Sequence, residues 1–285
     1  MRVLATIGFS FSAGVFLAAL LPWNGWQLYA AGGVLLLALA WLFAARKQKY
    51  FRRGLLILLT LAVSLAYFAG YDHLVRQPIE DRCGAASDFT ATVCDWPQAT
   101  ERGAKITVEL EGYNRARAVL YGEAELLAAR PGDTVTGTAQ WQSAAHFDSD
   151  DVTHFNARGV YALLYGREDV RLSAGDGDAL RWLPQRAGKA FREKVAAIWD
   201  DPRVSGFLTA ELTGDKSAMD DGDYLAMQET GLAHLFAVSG LHCAFLVTLL
   251  ALLISRRQRL LCAVTIPLLL FYMVMVGISP SVVRA

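Results

Sequence analysis

Long apolar segments near both ends of the chain restrict its possible folds more than any other feature. Five stretches are each about as long as the roughly 20 apolar residues that cross a bilayer as a helix. They cover residues 3–21, 27–44, 54–71, 234–254 and 260–277. None has a charged residue in its centre. The sequence therefore predicts an α-helical integral membrane protein with five spans.

The first apolar segment has an alternative interpretation as a cleaved signal peptide behind Arg2. Its apolar run is long for that role, no clear small-x-small cleavage site precedes Trp23, and a second apolar segment follows at once. A retained membrane helix is the preferred interpretation.

Basic residues between the apolar segments predict the orientation. The linker ARKQKYFRR, residues 45–53, holds five Lys or Arg and no acid, and SRRQR, residues 255–259, holds three and no acid. Cytoplasmic loops are enriched in Lys and Arg. We therefore expect a multi-pass membrane protein with a cytoplasmic N-terminus. The segment between residues 71 and 234 then lies in the periplasm or outside the cell.

The exported segment changes to the periodicity of β-strands between residues 88 and 173. Short runs rich in Val, Thr, Tyr and Leu, such as AKITVELEGY, are separated by turns such as Pro131-Gly132-Asp133. Five or six such strands predict an inserted all-β domain of the OB-like barrel type. A short helix is expected near residues 154–158. A β-sandwich is the competing fold.

Two of the four cysteines, Cys83 and Cys94, lie in the exported segment, while Cys243 and Cys262 lie in predicted spans. An oxidising compartment permits a disulfide between Cys83 and Cys94. It would close a short loop and stabilise the fold by about 2–3 kcal/mol. The alternative is that both thiols stay reduced.

Aromatic residues and charge give opposite indications about nucleic-acid binding by the β domain. Six aromatic side chains could stack bases: Trp96, Tyr113, Tyr121, Trp141, Tyr161 and Tyr165. Aromatic residues in a small β domain more often fill its core. Residues 72–180 also hold 10 Lys plus Arg against 18 Asp plus Glu, a net charge of −8, which repels a phosphate backbone. A DNA contact would therefore be local, near Arg115 and Arg117.

A basic amphipathic helix is predicted after the strands. Its apolar face comprises Leu180, Leu183, Ala187, Phe191, Val195 and Ile198. Basic residues occupy much of the remainder: Arg181, Arg186, Lys189, Arg192 and Lys194. Beside a membrane span, such a helix is expected in the headgroup plane, with a nucleic-acid contact as the second interpretation. Pro184 predicts a break near its start.

These patterns divide the chain into four parts. Residues 1–75 hold three N-terminal transmembrane helices, and residues 76–178 form the exported OB-like β domain. Residues 179–202 form the basic interfacial helix. Residues 203–285 begin a second transmembrane bundle.

The fourth apolar segment begins with polar residues that a simple anchor does not need. The run TGLAHLFAVSGLHCAFL, residues 230–246, contains His234, Ser239, Gly240 and His242. Small residues let membrane helices approach closely, and Ser or His side chains bond across them. Polar groups in a span also face a bundle interior or a water-filled path. Both interpretations stay open. Gly231 is expected to end a short helix that precedes the segment.

The same residues do not form a catalytic or metal-binding pattern. AVSG resembles the G-x-S-G of rhomboid-type membrane proteases, but its first residue is Ala237. His242 lies on the same helix as Ser239, a poor position for a general base. His234 and His242 form no H-E-x-x-H motif, and the chain has no glycine-rich phosphate loop. We therefore expect no enzymatic activity, metal or cofactor.

Two motifs in this region carry a resemblance to the ComEC-type competence channel family. The pattern G-x-x-H-x-x-A-x-S-G-x-H is met by Gly231, His234, Ala237, Ser239, Gly240 and His242. The pattern S-P-S-x-x-R-A is met by Ser279, Pro280, Ser281, Arg284 and Ala285. Residues 147–162 also resemble the late loop, helix and strand of the exported barrel in that family.

The resemblance implies a channel component that moves single-stranded DNA into the cytoplasm during natural transformation. It implies single-stranded DNA and membrane lipid as partners, with an exported DNA receptor, a cytosolic DNA-handling ATPase and self-association into a homo-oligomer. The signature residues of the expected DNA path are Gly231, His234, Ser239, Gly240, His242 and Arg284. Because family members carry further spans, we expect the chain to be a fragment, a truncated product or half of a split channel. The rival from another class is a non-transporting membrane protein that displays a β interaction domain.

Overall fold

The computed structural model describes residues 2–20, 27–44, 51–144, 155, 158–167, 169–216, 218–232, 240–254 and 258–277. These residues fall into two compact units, Met1–Asp81 and Arg82–Ala285. Each unit is described by itself.

The first unit is built from apolar helices. They are α1, Arg2–Leu20; α2, Gln27–Ala44; and α3, Phe51–Tyr71, which runs through a π-helical turn, Asp72–Arg76, into α4, Gln77–Glu80. Both α1 and α2 pack against α3. Ala18, Ala31 and Leu65 form a small core between the three helices, since small side chains let apolar helices approach closely.

Two helical stretches are long and apolar enough to cross a membrane, judged by length and composition: Phe51–Glu80 and Gln258–Met275. Three other apolar helices, Val3–Ala19, Leu28–Ala44 and Gly240–Ile254, fall short of that length within the described residues. Two of the five predicted spans therefore have the required length. The multi-pass topology and its orientation stay predictions.

The second unit begins with a closed five-stranded β-barrel. Its strands are β1, Ala86–Val93; β3, Gly103–Leu110; β4, Arg117–Gly122; β5, Thr134–Ser143; and β6, Val160–Gly166, while β2, Gln98–Thr100, and β7, Arg171–Ser173, extend the sheet. The barrel order is β1-β3-β4-β6-β5, and β5 pairs with β1 to close it. Only the β4–β6 pair among these described strands is parallel. This is an OB-like barrel, so the barrel prediction is confirmed and the β-sandwich is wrong.

Alternating residues of each strand fill the barrel. In β3, the side chains of Ile106, Val108 and Leu110 are buried, while the residues between them are partly exposed. This is the two-residue period of a strand with one apolar face. Trp141 of β5 is 1% exposed, and its Nε1–H donates to the Ser87 carbonyl oxygen at 3.3 Å. Trp141 is therefore a core residue.

The predicted disulfide between Cys83 and Cys94 is wrong. All four cysteines lie in described residues, and none forms a disulfide. Cys83 precedes β1 and Cys94 follows it, and the strand has eight residues. At about 3.3 Å per residue, such a strand is about 26 Å long. The Cα atoms of bridged cysteines lie only about 4.4–6.8 Å apart, so the extended strand keeps the two thiols apart.

Helices follow the barrel in the second unit. After a 3₁₀ turn, Leu180–Trp182, they are α5, Leu183–Ile198; α6, Pro202–Thr213; α7, Asp221–Glu229; α8, described over Gly240–Ile254; and α9, Gln258–Met275. Helix α5 packs against α6 and α9, and α8 packs against α9. Pro184 lies in the first turn of α5, where its missing N–H is tolerated.

Two glycines end helices in this part of the chain. Gly214 follows α6 with φ 73°, and Gly231 follows α7 with φ 74°. Glycine adopts this left-handed conformation without steric cost. The short helix and its glycine terminator, predicted before the fourth apolar segment, are confirmed.

Burial raises the pKa of the Cys94 thiol to about 12. The thiolate is the nucleophilic form, so alkylation of Cys94 by iodoacetamide should be slow near neutral pH and keep accelerating above about pH 10. The rates are measured on the full chain with Cys83, Cys243 and Cys262 replaced by Ser. The same protein unfolded in urea is the control, and its rate should level off near the ordinary pKa of a thiol. Superimposable pH profiles would contradict the structure.

Candidate functional site

Helix α5 is held against one end of the barrel by Trp96, in the loop between β1 and β2. The Trp96 Nε1–H donates a hydrogen bond to the Gln185 carbonyl oxygen at 3.0 Å. The Lys189 ammonium lies 3.9 Å from the centroid of the Trp96 ring, which is a cation–π distance. Gln185 and Lys189 are four residues apart and share a helix face. Trp96 therefore anchors a helix, and the ring face over which the Lys189 ammonium lies is not open to base stacking.

Basic side chains near and along α5 meet acidic partners. Arg181, just before α5, binds the Glu109 carboxylate of β3. Arg192 reaches Asp215, in the turn after α6, at 3.4 Å. The side chains of Arg192 and Asp215 are only 27% and 19% exposed, so water screens this pair less than a surface pair. These ion pairs fasten α5 to the barrel at one end and to α6 further along.

The residues of the predicted DNA path are only partly described. Three lie outside the described residues: His234, Ser239 and Arg284. Gly231 ends α7, Gly240 is the first described residue of α8, and His242 follows within the first turn of α8.

His242 faces an acid that the sequence analysis did not single out. Its Nε2 lies 3.6 Å from the Glu211 Oε1 in α6. Nearby, the Tyr272 hydroxyl of α9 donates to the Leu212 carbonyl oxygen at 2.9 Å. Polar contacts thus connect α6 to both α8 and α9. The sequence feature that could have indicated this contact is the single carboxylate, that of Glu211, in the run FLTAELTG.

The residue after His242 packs α8 onto α9. Cys243 is buried and contacts Leu269, Tyr272 and Met273. A small side chain at this position permits the close approach of two apolar helices. The start of α8 therefore packs on α9 through Cys243, directly after the motif, while the motif itself presents a polar group through His242. A role in a DNA path stays a prediction.

A stacked tyrosine pair lies on the outer surface of the barrel. Tyr121 of β4 and Tyr165 of β6 are partners in the parallel pairing, and their rings are 5.3 Å apart at 13°. Lys105 of β3 is the strand partner of Tyr121, and Gln140 of β5 is the partner of Tyr165. We call these four residues the tyrosine row. It places an amine, two phenols and an amide side by side across four strands.

The two arginines predicted to contact DNA have different surroundings. Arg115 is exposed in the β3–β4 turn with φ 57°, next to Asn114 with φ 48°. Arg117 begins β4 opposite Glu109, which offsets part of its charge. Arg115 therefore presents the more accessible positive charge.

An open cavity of about 520 Å³ lies beside the β3–β4 turn. On its wall, Tyr113 packs between the Arg82 guanidinium, 5.5 Å from its ring, and the Trp141 ring, 5.8 Å away. Asp88 and Glu111 add two carboxylates, so the cavity disfavours phosphate. Within the described part of the chain, no group of three or more His, Cys, Asp and Glu residues could hold a metal ion.

The C-terminal helices match a known protein family. Residues 212–285 match the Competence family, described as competence protein. The matched segment contains α7, α8 and α9, with His242 and Tyr272. The chain therefore carries a Competence domain, consistent with the ComEC-type competence protein family. No curated protein and no solved structure matches the chain.

The Arg192–Asp215 pair should stabilise the attachment of α5 measurably. In a double-mutant cycle of Arg192→Ala and Asp215→Ala, we expect a coupling free energy of about 1 kcal/mol, near the upper end for partly exposed pairs. The measurement is urea-induced unfolding of the full chain in detergent micelles. Lys189 and Glu193, 3.8 Å apart and 44% and 66% exposed, form the matched control, with an expected coupling of about 0.3 kcal/mol. Equal couplings would mean that Arg192 and Asp215 are an ordinary surface pair.

Proposed function

We propose that this chain is a membrane component of natural transformation that passes single-stranded DNA from the barrel into the helices of the Competence domain. The family match over residues 212–285 carries the proposal. The OB-like barrel supports it, because this fold commonly binds oligonucleotides. We place the protein in the bacterial inner membrane as a multi-pass protein, with its N-terminus in the cytoplasm and its barrel outside.

The tyrosine row is the part of the barrel surface best suited to a single strand. Bases stack on aromatic side chains without sequence preference, and Tyr165 is 36% exposed. Lys105 and the exposed Arg115 supply positive charge for phosphate. Because residues 72–180 carry a net charge of −8, we expect stacking and hydrogen bonds to dominate, with a shallow salt dependence.

Helix α5 connects the barrel to the Competence helices. It contacts the barrel through Trp96 and packs on α6 and α9, so a strand leaving the barrel reaches the α6–α8–α9 junction. There, Glu211 and His242 supply ionisable groups at the contact between α6 and α8, as expected along a transport path. The strand is carried and not chemically altered. An exported receptor would deliver it, a cytosolic ATPase would draw it inward, and copies of the chain would assemble to complete the path.

The charge of the barrel supports a second candidate function. Asp88 and Glu111 line the open cavity, and this acidic surface suits a basic protein partner better than DNA. In that case the chain would display the barrel as an interaction module without moving DNA. Transformation would then be insensitive to changes at the α6–α8 contact.

Replacing His242 by Ala in a naturally transformable host should lower the transformation frequency. His242 and Glu211 are partly buried, 14% and 31% exposed, and loss of such a polar partner costs about 1 kcal/mol or more, so we expect a decrease of about tenfold at unchanged protein level. His73→Ala is the matched control, because His73 is an exposed histidine of the first unit bonded to the Gln77 side chain. An unchanged frequency for His242→Ala would favour the interaction module.

A further inference from the structure

Helix α5 carries an apolar stripe that the second unit leaves exposed. Leu183, Phe191 and Ile198 are 41%, 38% and 62% exposed. At 100° per residue these three side chains fall within one quadrant of the helix, together with Ala187. The residues that α5 buries, Pro184, Gly188 and Val195, lie on the neighbouring face.

The contact between α5 and α9 places this stripe at a definite depth. Helix α9 has 18 residues, about 27 Å at 1.5 Å per residue, close to the roughly 30 Å of a bilayer hydrocarbon core. Gly188 lies against Met275, the last residue of α9, such that an added Cβ would lie 3.2 Å from the Met275 Cγ. Helix α5 therefore lies at the end of a membrane-length helix, where hydrocarbon gives way to headgroups.

The charges around the stripe agree with that depth. Lys194 lies within the stripe and is exposed, and its long side chain can cover apolar surface while the ammonium reaches a headgroup. Trp199, directly after the helix, is 42% exposed, and tryptophan is enriched at membrane interfaces. Because Lys194 is a cation within the apolar stripe, this surface favours anionic lipid.

We propose that the stripe formed by Leu183, Phe191, Lys194 and Ile198 inserts into the headgroup–acyl boundary of an anionic bilayer, so that α5 lies in the membrane surface under the barrel. This inference rests on the membrane insertion of α9 that is part of the proposed function. It goes beyond that function in assigning a lipid-binding surface that holds the barrel at the bilayer.

The test measures spin-label depth in the full chain, with its native cysteines replaced, in vesicles of phosphatidylcholine and phosphatidylglycerol. Labels at Phe191→Cys and Ile198→Cys report on the stripe, and a label at Glu193→Cys, 66% exposed, reports on the polar face. We expect collisions with oxygen to exceed those with a water-soluble nickel chelate at positions 191 and 198, and the reverse at position 193. A label at Leu270→Cys, on the exposed side of α9, marks the hydrocarbon.

Each outcome has a definite meaning. Nickel-accessible labels at 191 and 198 would place the stripe in water, and labels shielded from both reagents would place it against protein; either result overturns the proposal. If the Leu270 label is also reached by nickel, membrane insertion of α9 fails and the proposed function fails with it. A lipid-exposed Leu270 label with a water-exposed stripe rejects the α5 proposal alone.

Discussion

The second unit depends on the contact between Trp96 and α5. One indole donates a hydrogen bond to a helix carbonyl and accepts the Lys189 ammonium on its face. The same helix packs on α6 and α9. Together with the Arg181–Glu109 ion pair, Trp96 therefore couples the barrel to the helices that match the Competence family.

Arginine–carboxylate ion pairs join the parts of this unit to one another. Residues 72–180 carry a net charge of −8, and Arg181 before α5 binds the Glu109 carboxylate of the barrel. Arg192 does the same with Asp215 beyond α6. These arginines are thus partly neutralised by protein carboxylates, and contact with a DNA backbone would have to compete with them. Aromatic stacking is the means of strand binding that such a surface leaves open.

Local patterns determined what could be predicted from the sequence. Two-residue alternation identified the barrel strands, because one face of each strand is buried. Gly231 was recognisable because glycine ends helices in the left-handed conformation. The Cys83–Cys94 spacing was misleading, since a short separation along the chain becomes a long distance when the intervening residues form a strand. The contacts Glu211–His242 and Trp96–Gln185 join distant elements, and no local period encodes them.

The most direct test of DNA passage from the barrel to the Competence helices is photo-crosslinking in transforming cells. A benzophenone amino acid replaces Tyr165 on the barrel or Leu241, 72% exposed in the first turn of α8, and labelled DNA is supplied. Leu127, 43% exposed on another part of the barrel, is the control position. DNA should crosslink at positions 165 and 241 and not at 127. If the cells remain transformable and the crosslink is missing at position 165 or at position 241, DNA does not pass from the barrel to the Competence helices as proposed.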